Sequence, residues 1–319
     1  MFQIFEKKRE CGHYSDGTSR FLVIRAHFCF MLRLRVGGVA EHYNLPWHLL
    51  RESDKLRQIG IEMVWQDCPG GTGEMTHLLR SNELDIAVLL TEGIIADKLK
   101  GGDSKILKVF VKSSLEWGVH VPENVETLAG PSQVSFAVSR MGSGSHYMAS
   151  LYADKAGIPR RKLKFVEVGS LEGAMKAFDE KSVDAFLWER FTTEPYLERH
   201  DLKRIDSIYT PWPCFVVAIR PAIYAKHREE IEELLNEVLE RAAILKQEPN
   251  AIEMIADRYA LPIVRVAQWF EQVDWGSGEN LSPTELETVV SSLKSLGGFS
   301  SEIEAFYSEK REPEAFLTA

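Results

Sequence analysis

The 319-residue sequence contains only four cysteines, and they are far apart in the chain. They are Cys11, Cys29, Cys68 and Cys214, and no two of them form a C-x-x-C pair. This distribution argues against a zinc-binding cysteine cluster and against a disulfide framework, and it is typical of free thiols in a reducing compartment. The nine histidines also lack H-x-x-x-H and H-E-x-x-H spacing. We therefore expect no metal site and no cofactor.

The sequence also lacks an excess of positive charge and a long apolar run. The formal net charge is −9, the pI is about 5.6, and no basic stripe is interleaved with aromatic residues. These properties argue against a nucleic-acid partner. No apolar segment reaches the roughly 18 residues that a membrane span needs. With 45% hydrophobic residues, the chain is long enough for two globular domains.

The N-terminal region carries no convincing targeting signal. Residues 21–32 read FLVIRAHFCFML, but Arg25 and His27 interrupt the run and no small-residue cleavage site follows. We therefore expect no secretory signal. A transit peptide stays open, because residues 1–35 hold seven Lys and Arg residues, although three acidic residues lie among them. We interpret residues 1–31 as an extension outside the folded core and expect a cytoplasmic protein.

From residue 32 onwards, predicted strands and helices alternate in the order of an α/β protein. The pattern strand, turn, helix, strand occurs first over residues 32–90 and again over residues 133–188. The crossovers GTGEMTHLLRSNELDIAVLL and GSLEGAMKAFDEKSVDAFLW even share an aspartate before the second strand, Asp85 and Asp184. This repetition predicts two similar lobes, each with a parallel-dominated sheet flanked by helices.

The C-terminal helices predicted from about residue 222 to 295 have apolar stripes but no core of their own, so we expect them to cover the first sheet. The second lobe is then an insertion in the first. We predict lobe 1 over residues 32–117 and 211–319 and lobe 2 over residues 118–210. The two crossings between the lobes would form a two-strand hinge.

Residues 68–75 read CPGGTGEM, a glycine-rich turn that leads into a predicted helix. Gly71, Thr72 and Gly73 would present free N–H groups at the positive end of that helix, which favours an anionic or polar ligand. A dinucleotide-binding motif is disfavoured because Thr76 occupies its third small position, and no P-loop Gly-Lys-Ser/Thr follows. A tight turn that needs glycine for backbone reasons alone is an equally good interpretation.

Three motifs in this order, LRVGGVAEHYNLPW, CPGGTGEMTHLLRSNELDIAVLLTEG and SRMGSGSHYMASLYADKAG, resemble the type II periplasmic solute-binding proteins. The similarity is to the branch that binds nitrate, sulfonates and thiamine-pyrimidine precursors, and it covers about residues 32–300. It implies a two-lobed clamshell whose ligand lies between the lobes at the strand ends. Exported members carry a signal sequence, so we interpret this chain as an intracellular, fungal-type member. A membrane-transporter partner is doubtful for the same reason.

Some fungal relatives make the thiamine pyrimidine, with a C-C-C-F-C segment and a histidine consumed as substrate. This chain lacks that segment. The resemblance therefore favours a protein without catalytic residues that binds a compact polar organic ligand, such as a thiamine-pyrimidine-related molecule. An enzyme of thiamine-pyrimidine or related metabolism on the same scaffold is the alternative. A structural interaction module, which would have no pocket, is a third.

The predicted ligand site takes its residues from strand ends, from the glycine and serine turns and from the hinge crossings. Its members are His42, Asn44, Trp47, Gly71, Thr72, Gly73, Thr91, Glu92, Trp117, Arg140, Ser143, Ser145, His146, Trp188, Glu189 and Trp212. Several have a structural alternative: Asn44 and Ser145 would cap helices, Glu92 would pair with Arg or Lys, and the tryptophans would pack in the core. GSGSH is not a nucleophile motif, because G-x-S-x-G is absent.

The chemistry of these residues gives two indications about the ligand. Arg140 and the two turns at helix N-termini favour an anionic group. Glu92, Glu189 and the tryptophans favour an amine-bearing ring. We therefore expect a compact polar organic ligand, such as an aminopyrimidine or an organic acid, rather than bare nitrate.

Overall fold

The computed structural model describes residues 31–295, which belong to one compact unit built on two five-stranded sheets. Residues 1–30 and 296–319 lie outside the described part. The predictions for the N-terminal extension and for the end of lobe 1 therefore stay predictions, as do those for Cys11 and Cys29.

The first sheet combines four strands from the start of the chain with one that arrives much later. Its strands are β1 (Leu32–Gly38), β2 (Ile61–Asp67), β3 (Ile86–Leu90), β4 (Lys105–Val111) and β10 (Phe215–Ile219). They lie in the order β2-β1-β3-β10-β4. β1 pairs in parallel with β2 and β3, whereas β10 runs antiparallel to β3 and β4. The sheet is mixed because β10 enters it from the opposite end.

The second sheet repeats this arrangement. Its strands are β5 (Glu116–Pro122), β6 (Val134–Val138), β7 (Leu163–Glu167), β8 (Ala185–Glu189) and β9 (Leu202–Tyr209), in the order β7-β6-β8-β5-β9. β6 is parallel to β7 and β8, and β5 is antiparallel to β8 and β9. The predicted fold class, two similar α/β halves with helices on the sheets, is confirmed. The structure adds that parallel and antiparallel pairs are equally frequent in both sheets.

The internal repeat is visible in the hydrogen bonds at the start of β3 and β8. Asp85 donates its N–H to the carbonyl oxygen of Arg35, and its carboxylate accepts the Arg35 N–H, both at 2.9 Å. Asp184 forms the same two bonds with Ser135, at 2.8 and 2.7 Å. Each aspartate extends the parallel pairing by one residue, and this shared role explains why both crossovers carry it.

Twelve α-helices connect or cover these strands in the described part. They are α1 (Leu45–Glu52), α2 (Lys55–Gln58), α3 (Gly71–Arg80), α4 (Thr91–Leu99), α5 (Gly144–Lys155), α6 (Leu171–Asp179), α7 (Arg190–Leu197), α8 (Pro221–Lys226), α9 (Arg228–Leu245), α10 (Ala251–Tyr259), α11 (Ile263–Gln272) and α12 (Pro283–Ser295). Short 3-10 helices cover His42–Asn44, Arg160–Lys162 and Glu198–His200. None of the described helices is long and apolar enough to cross a membrane.

Two helices were not predicted, and two predicted helices are interrupted. α4 begins directly after β3, and α7 begins directly after β8. Neither helix is therefore preceded by turn residues that would mark its start in the sequence. The sequence pattern predicts single helices over residues 45–59 and about 222–246, but the first breaks between α1 and α2 and the second breaks at His227.

Two stretches of chain connect the sheets, residues 112–115 and 210–214. Leu115 N–H donates to Thr210 Oγ1 at 3.1 Å, and Thr210 N–H donates to the Leu115 carbonyl at 3.3 Å. We call the first sheet with its helices lobe 1 and the second sheet with its helices lobe 2. The paired stretches are the two-strand hinge of the predicted fold class. Trp117, placed in lobe 1 by the sequence prediction, lies in β5 of lobe 2.

Candidate functional site

A small cavity of about 50 Å³ lies between the two lobes, where the carboxyl ends of the parallel strands meet. Nine of the sixteen predicted site residues line it: Gly71, Thr72, Gly73, Trp117, Arg140, Ser143, Ser145, Trp188 and Glu189. Eight further residues were not predicted: Val39, Glu41, Gly70, Leu90, Leu115, Ser139, Gly144 and Phe215. The cavity is therefore lined by polar groups from both lobes and by the apolar residues Val39, Leu90, Leu115 and Phe215.

The glycine-rich turn forms the lobe 1 wall. Gly71 has a φ of +65°, a backbone conformation that glycine adopts without strain, and it begins α3. The hydroxyl of Thr72 accepts the N–H of Leu90 at 3.1 Å and so ties the turn to the end of β3. The backbone interpretation of the turn is thus correct for Gly71, while the turn also lies on the cavity wall.

Arg140 reaches this wall from lobe 2. A Cβ built on Gly73 would lie 1.8 Å from Nε and 1.9 Å from Nη2 of Arg140, so the guanidinium rests against the glycine. Its hydrogen bond to a described residue is a long one, 3.5 Å to the carbonyl of Met141, and no described carboxylate forms an ion pair with it. The half-buried guanidinium of Arg140 therefore has N–H donors available to an anionic group of a ligand.

The serine turn lies beside Arg140 at the start of α5. Ser143 caps the helix, because its hydroxyl accepts the N–H of His146 at 3.4 Å. The prediction that Ser145 is the cap is wrong: Ser145 is inside the helix, and its hydroxyl accepts the N–H of Ser139 at 2.9 Å. The Oγ atoms of Ser143 and Ser145 are 3.0 Å apart. These hydroxyls and the helix N-terminus make a second polar wall.

Two buried carboxyl groups, those of Glu189 and Glu41, also line the cavity. The Glu189 carboxylate caps α7, with hydrogen bonds from the N–H groups of Phe191 and Thr192 at 3.1 and 2.7 Å. Burial raises the pKa of Glu189 to about 7, against the effect of these bonds. Glu41, which was not predicted, is only 7% exposed, and no described residue donates a hydrogen bond to its carboxylate. Burial and the nearby Glu189 raise the pKa of Glu41 to about 8.

Two tryptophans complete the lining. Trp117 and Trp188 meet edge to face, with ring centroids 6.3 Å apart at 76°. The indole Nε1 of Trp117 has no hydrogen-bond partner among the described residues. Gly144 lies close to this ring, since a Cβ there would be 3.1 Å from Trp117 and 2.8 Å from Leu90. Of the four predicted tryptophans, Trp117 and Trp188 therefore lie on the cavity wall.

The tryptophans outside the cavity have structural roles. Trp47 is fully buried and packs 5.9 Å from Phe110, as the core interpretation predicted. Trp212 donates its indole N–H to Glu92 Oε2 at 2.9 Å. The expected Arg or Lys partner of Glu92 is therefore wrong, because its partner in the first turn of α4 is the indole of Trp212. Thr91 donates its hydroxyl hydrogen to the carbonyl of Pro213 and ties the same junction to the hinge.

Neither predicted histidine lines the cavity. His42 is 1% exposed, packs edge to face on Trp269 at 4.1 Å, and burial lowers its pKa to about 3. His146 accepts the N–H of Gly142 at Nδ1, and burial lowers its pKa. Asn44 forms no capping bond with its side chain; its amide instead donates to the carbonyl of Val39 at 2.8 Å. These residues order the loops around the cavity.

One cavity residue that the sequence prediction missed, Glu41, lies at the same strand end as the predicted residues His42 and Asn44. It comes three residues after the end of β1, the same position relative to a strand that made the other turns candidates. A glutamate in a polar loop is usually solvated, so the sequence favoured its neighbours. Only the packing of lobe 2 against this loop reveals that the carboxyl is buried.

Comparisons with known proteins support the same architecture. Residues 117–208 match the family model described as Ca3427-like PBP. The chain is 27% identical to the Candida albicans CA3427 gene product, which defines a new family of proteins with the generic periplasmic binding protein fold. That alignment covers 88% of this chain and 96% of the other, with a TM-score of 0.78. Comparison with curated protein sequences gives no match.

Two sulfonate-binding proteins share the fold at lower identity. The Escherichia coli aliphatic sulphonate binding protein SsuA is 15% identical, over 90% of this chain and 91% of the other, with a TM-score of 0.62. The alkanesulfonate-binding protein SsuA from Xanthomonas axonopodis pv. citri, bound to MOPS, is 15% identical over 88% and 95%, with a TM-score of 0.68.

Two mixed sheets, a paired hinge and a cavity between the lobes define a solute-binding protein fold. The chain has the periplasmic binding protein fold. Its similarity to the Candida albicans protein fits the predicted fungal-type member.

Proposed function

We propose that this protein is a non-catalytic binding protein that closes on a compact polar organic ligand between its lobes. The observation that carries the proposal is Arg140, whose guanidinium lies across Gly73 of the opposite lobe and has no described carboxylate partner. The N-termini of α3 and α5 point their dipoles toward the same cavity, which favours an anionic group there. Bringing this cation and both helix ends together requires the lobes to close.

The lining favours an organic ligand over a bare inorganic anion. Trp117, Trp188 and Phe215 line the cavity with Leu90, and a small anion would leave these apolar faces unused. A sulfonate, as in the SsuA proteins, an organic acid and a thiamine-pyrimidine-related phosphate would each satisfy Arg140. The cavity of about 50 Å³ accommodates a few water molecules, so such a ligand enters when the lobes are further apart. The proposed location is the cytoplasm, on the sequence argument alone.

Native mass spectrometry of the purified protein tests this proposal directly. We expect a retained small molecule, and small-angle scattering should show a more compact protein with that molecule than without it. Arg140→Ala should weaken binding by about 1–3 kcal/mol, the usual strength of a hydrogen bond to a charged group. Arg161→Ala is the matched control, since Arg161 is an exposed lobe 2 arginine outside the cavity. A protein that neither retains nor binds a polar metabolite and has one scattering profile would refute the proposal.

A further inference from the structure

We infer that Glu41 binds a protonated amine of the ligand, so that the ligand is a zwitterion with its acidic group at Arg140 and its ammonium group at Glu41. This inference rests on the proposed function and names the class of ligand for the same cavity. The evidence for it is that the carboxyl group of Glu41 is buried and receives no hydrogen bond from a described residue.

Glu41 differs from the other buried carboxylates of the described chain in having no donor. Asp85 accepts hydrogen bonds from Arg35 and Arg220, and Glu116 accepts them from Arg190 and Arg204. Glu41 is 7% exposed, lines the cavity and receives no hydrogen bond from any described residue. A buried carboxyl without a partner is costly, so a group that enters the cavity and supplies N–H donors is favoured there.

The surroundings of Glu41 favour a cation over a neutral donor. Glu189, an acidic neighbour, has both carboxyl oxygens engaged as acceptors for the N–H groups at the N-terminus of α7. The other titratable or charged groups that face Glu41 or share its cavity walls are Tyr43, Cys214, His42, Arg140, Tyr196, Arg199 and Tyr259. Burial keeps Tyr43 and Cys214 neutral by raising their pKa values, and it keeps His42 neutral by lowering its pKa. Arg199 forms no ion pair with Glu41, so a ligand ammonium would supply the N–H donors that this carboxyl lacks.

A second cavity next to Glu41 has room for a substituent on the amine nitrogen of the ligand. Glu41 also lines a space of about 230 Å³ together with His42, Thr192, Tyr196, Arg199, Tyr259 and Leu261, and the Arg199 guanidinium lies 5.8 Å from the centre of the Tyr196 ring. This space is larger than the first cavity and has two tyrosine rings on its walls. Aromatic faces suit a substituted ammonium or a ring. We therefore place the small acidic end of the ligand at Arg140 and any larger substituent on the nitrogen, beyond Glu41.

Matched probes test the inference without knowledge of the natural ligand. Propane-1-sulfonate, 3-aminopropane-1-sulfonate and MOPS share one sulfonate chain and differ in having no amine, a primary amine and a ring amine. Butanoate and 4-aminobutanoate form the matching carboxylate pair. By calorimetry, we expect an amine-bearing probe to bind about tenfold or more tightly than its amine-free partner, the effect of one charged hydrogen bond. MOPS should bind at least as tightly as 3-aminopropane-1-sulfonate.

Glu41→Gln should remove this preference for the amine, while the exposed Glu287→Gln should retain it. Equal binding of probes with and without the amine by the unmodified protein would overturn the assignment of Glu41 and leave the proposed function in place. A preference that persists in Glu41→Gln would overturn it as well. Failure of all five probes to bind would overturn the assignment of Glu41, and it would overturn the proposed function as well if native mass spectrometry also shows no retained small molecule. The comparison within the unmodified protein decides the question even if the variant does not fold.

Discussion

The guanidinium of Arg140 in lobe 2 lies directly against the Cα of Gly73 in lobe 1. Three guanidinium atoms would be within 2.0 Å of a Cβ at position 73. Because Gly73 has no side chain, the charged guanidinium of Arg140 can occupy this position. Since this contact crosses the cleft, it couples closure of the lobes to the placement of the cation.

Gly73→Ala should weaken binding of an anionic ligand while leaving the fold intact. The added Cβ displaces the Arg140 side chain, which is flexible, and Ala is a better helix former than Gly by up to about 1 kcal/mol. We expect affinity to fall toward that of Arg140→Ala, with a free energy of unfolding that is unchanged or higher. Calorimetry and urea unfolding measure the two quantities. Full affinity in Gly73→Ala would show that Arg140 does not contact the ligand.

Gly71→Ala should have its main effect on stability. Gly71 has a φ of +65° and nothing within 4 Å of a Cβ built on it. An Ala residue there is strained but does not collide, so we expect a loss of about 1–2 kcal/mol in the free energy of unfolding. The contrast between the two glycines separates the backbone role of the turn from its role in the cavity. Equal unfolding energies for the two variants would contradict it.

Trp212→Phe should destabilise the protein more at high pH than at low pH. The substitution leaves the Glu92 carboxyl, which is fully buried, without its indole donor. An unsatisfied buried group costs about 1–3 kcal/mol, and more when charged. Burial raises the pKa of Glu92 to about 7, so the carboxyl is neutral at pH 6 and ionised at pH 8.5. Urea unfolding at these two pH values tests the difference.

The Glu92→Gln background is the control for that experiment. A glutamine side chain does not ionise, so the cost of Trp212→Phe should no longer depend on pH in that background. A pH-independent cost in the protein that retains Glu92 would mean that the indole bond contributes only packing.

Glu194→Gln should shift the ligand-free protein toward an open arrangement of its lobes. Arg265 in α11 and Glu194 in α7 form an ion pair at 3.8 Å, with exposures of 40% and 15%. An exposed pair of this kind contributes about 0–1 kcal/mol, so the expected loss of ligand affinity is a few-fold at most. Small-angle scattering should show a larger radius of gyration. Glu198→Gln, an exposed glutamate directly after α7, should leave the scattering unchanged.

The sequence predicted the fold because its signals are local and repeated. Strand, turn and helix follow one another twice, and Asp85 and Asp184 perform the same backbone pairing in each half. The helices that were missed, α4 and α7, start without a turn, and in α7 the last strand residue, Glu189, serves as the cap. Such a junction has no Gly, Pro or Asn to mark it, so periodicity alone could not reveal it.

The site was only partly predictable for a different reason. A residue at a strand end is near the cleft, but its side chain points into the cavity or into the core according to contacts that come from elsewhere in the chain. Trp188 faces the cavity, whereas Trp47 packs on Phe110. Glu41 was missed because its burial depends on the approach of lobe 2. Side-chain direction at a loop is a tertiary property, and the sequence pattern does not encode it.

The last prediction is that the ligand-free protein loses stability between about pH 7 and pH 8.5, and that Glu41 is the main cause. Burial and Glu189 raise the pKa of Glu41 to about 8, far above its usual 4.5. In this range the folded protein holds a proton that the unfolded chain has released, so the free energy of unfolding falls as pH rises, by at most about 1.4 kcal/mol per pH unit for one proton.

Two other buried carboxyl groups also titrate at the lower end of this pH window. Glu92 and Glu189, with pKa values raised to about 7, lose most of their protons only by about pH 8, and the buried histidines with lowered pKa values act only below about pH 6.5. The substitution of Glu41 therefore separates its share of the fall from theirs. Urea unfolding at half-unit steps should give a falling curve for the unmodified protein and for Glu287→Gln. Glu41→Gln should give a flatter curve over this window, because a glutamine side chain cannot ionise. Parallel curves for all three proteins would mean that Glu41 titrates as an ordinary exposed carboxyl and that its burial has no energetic consequence.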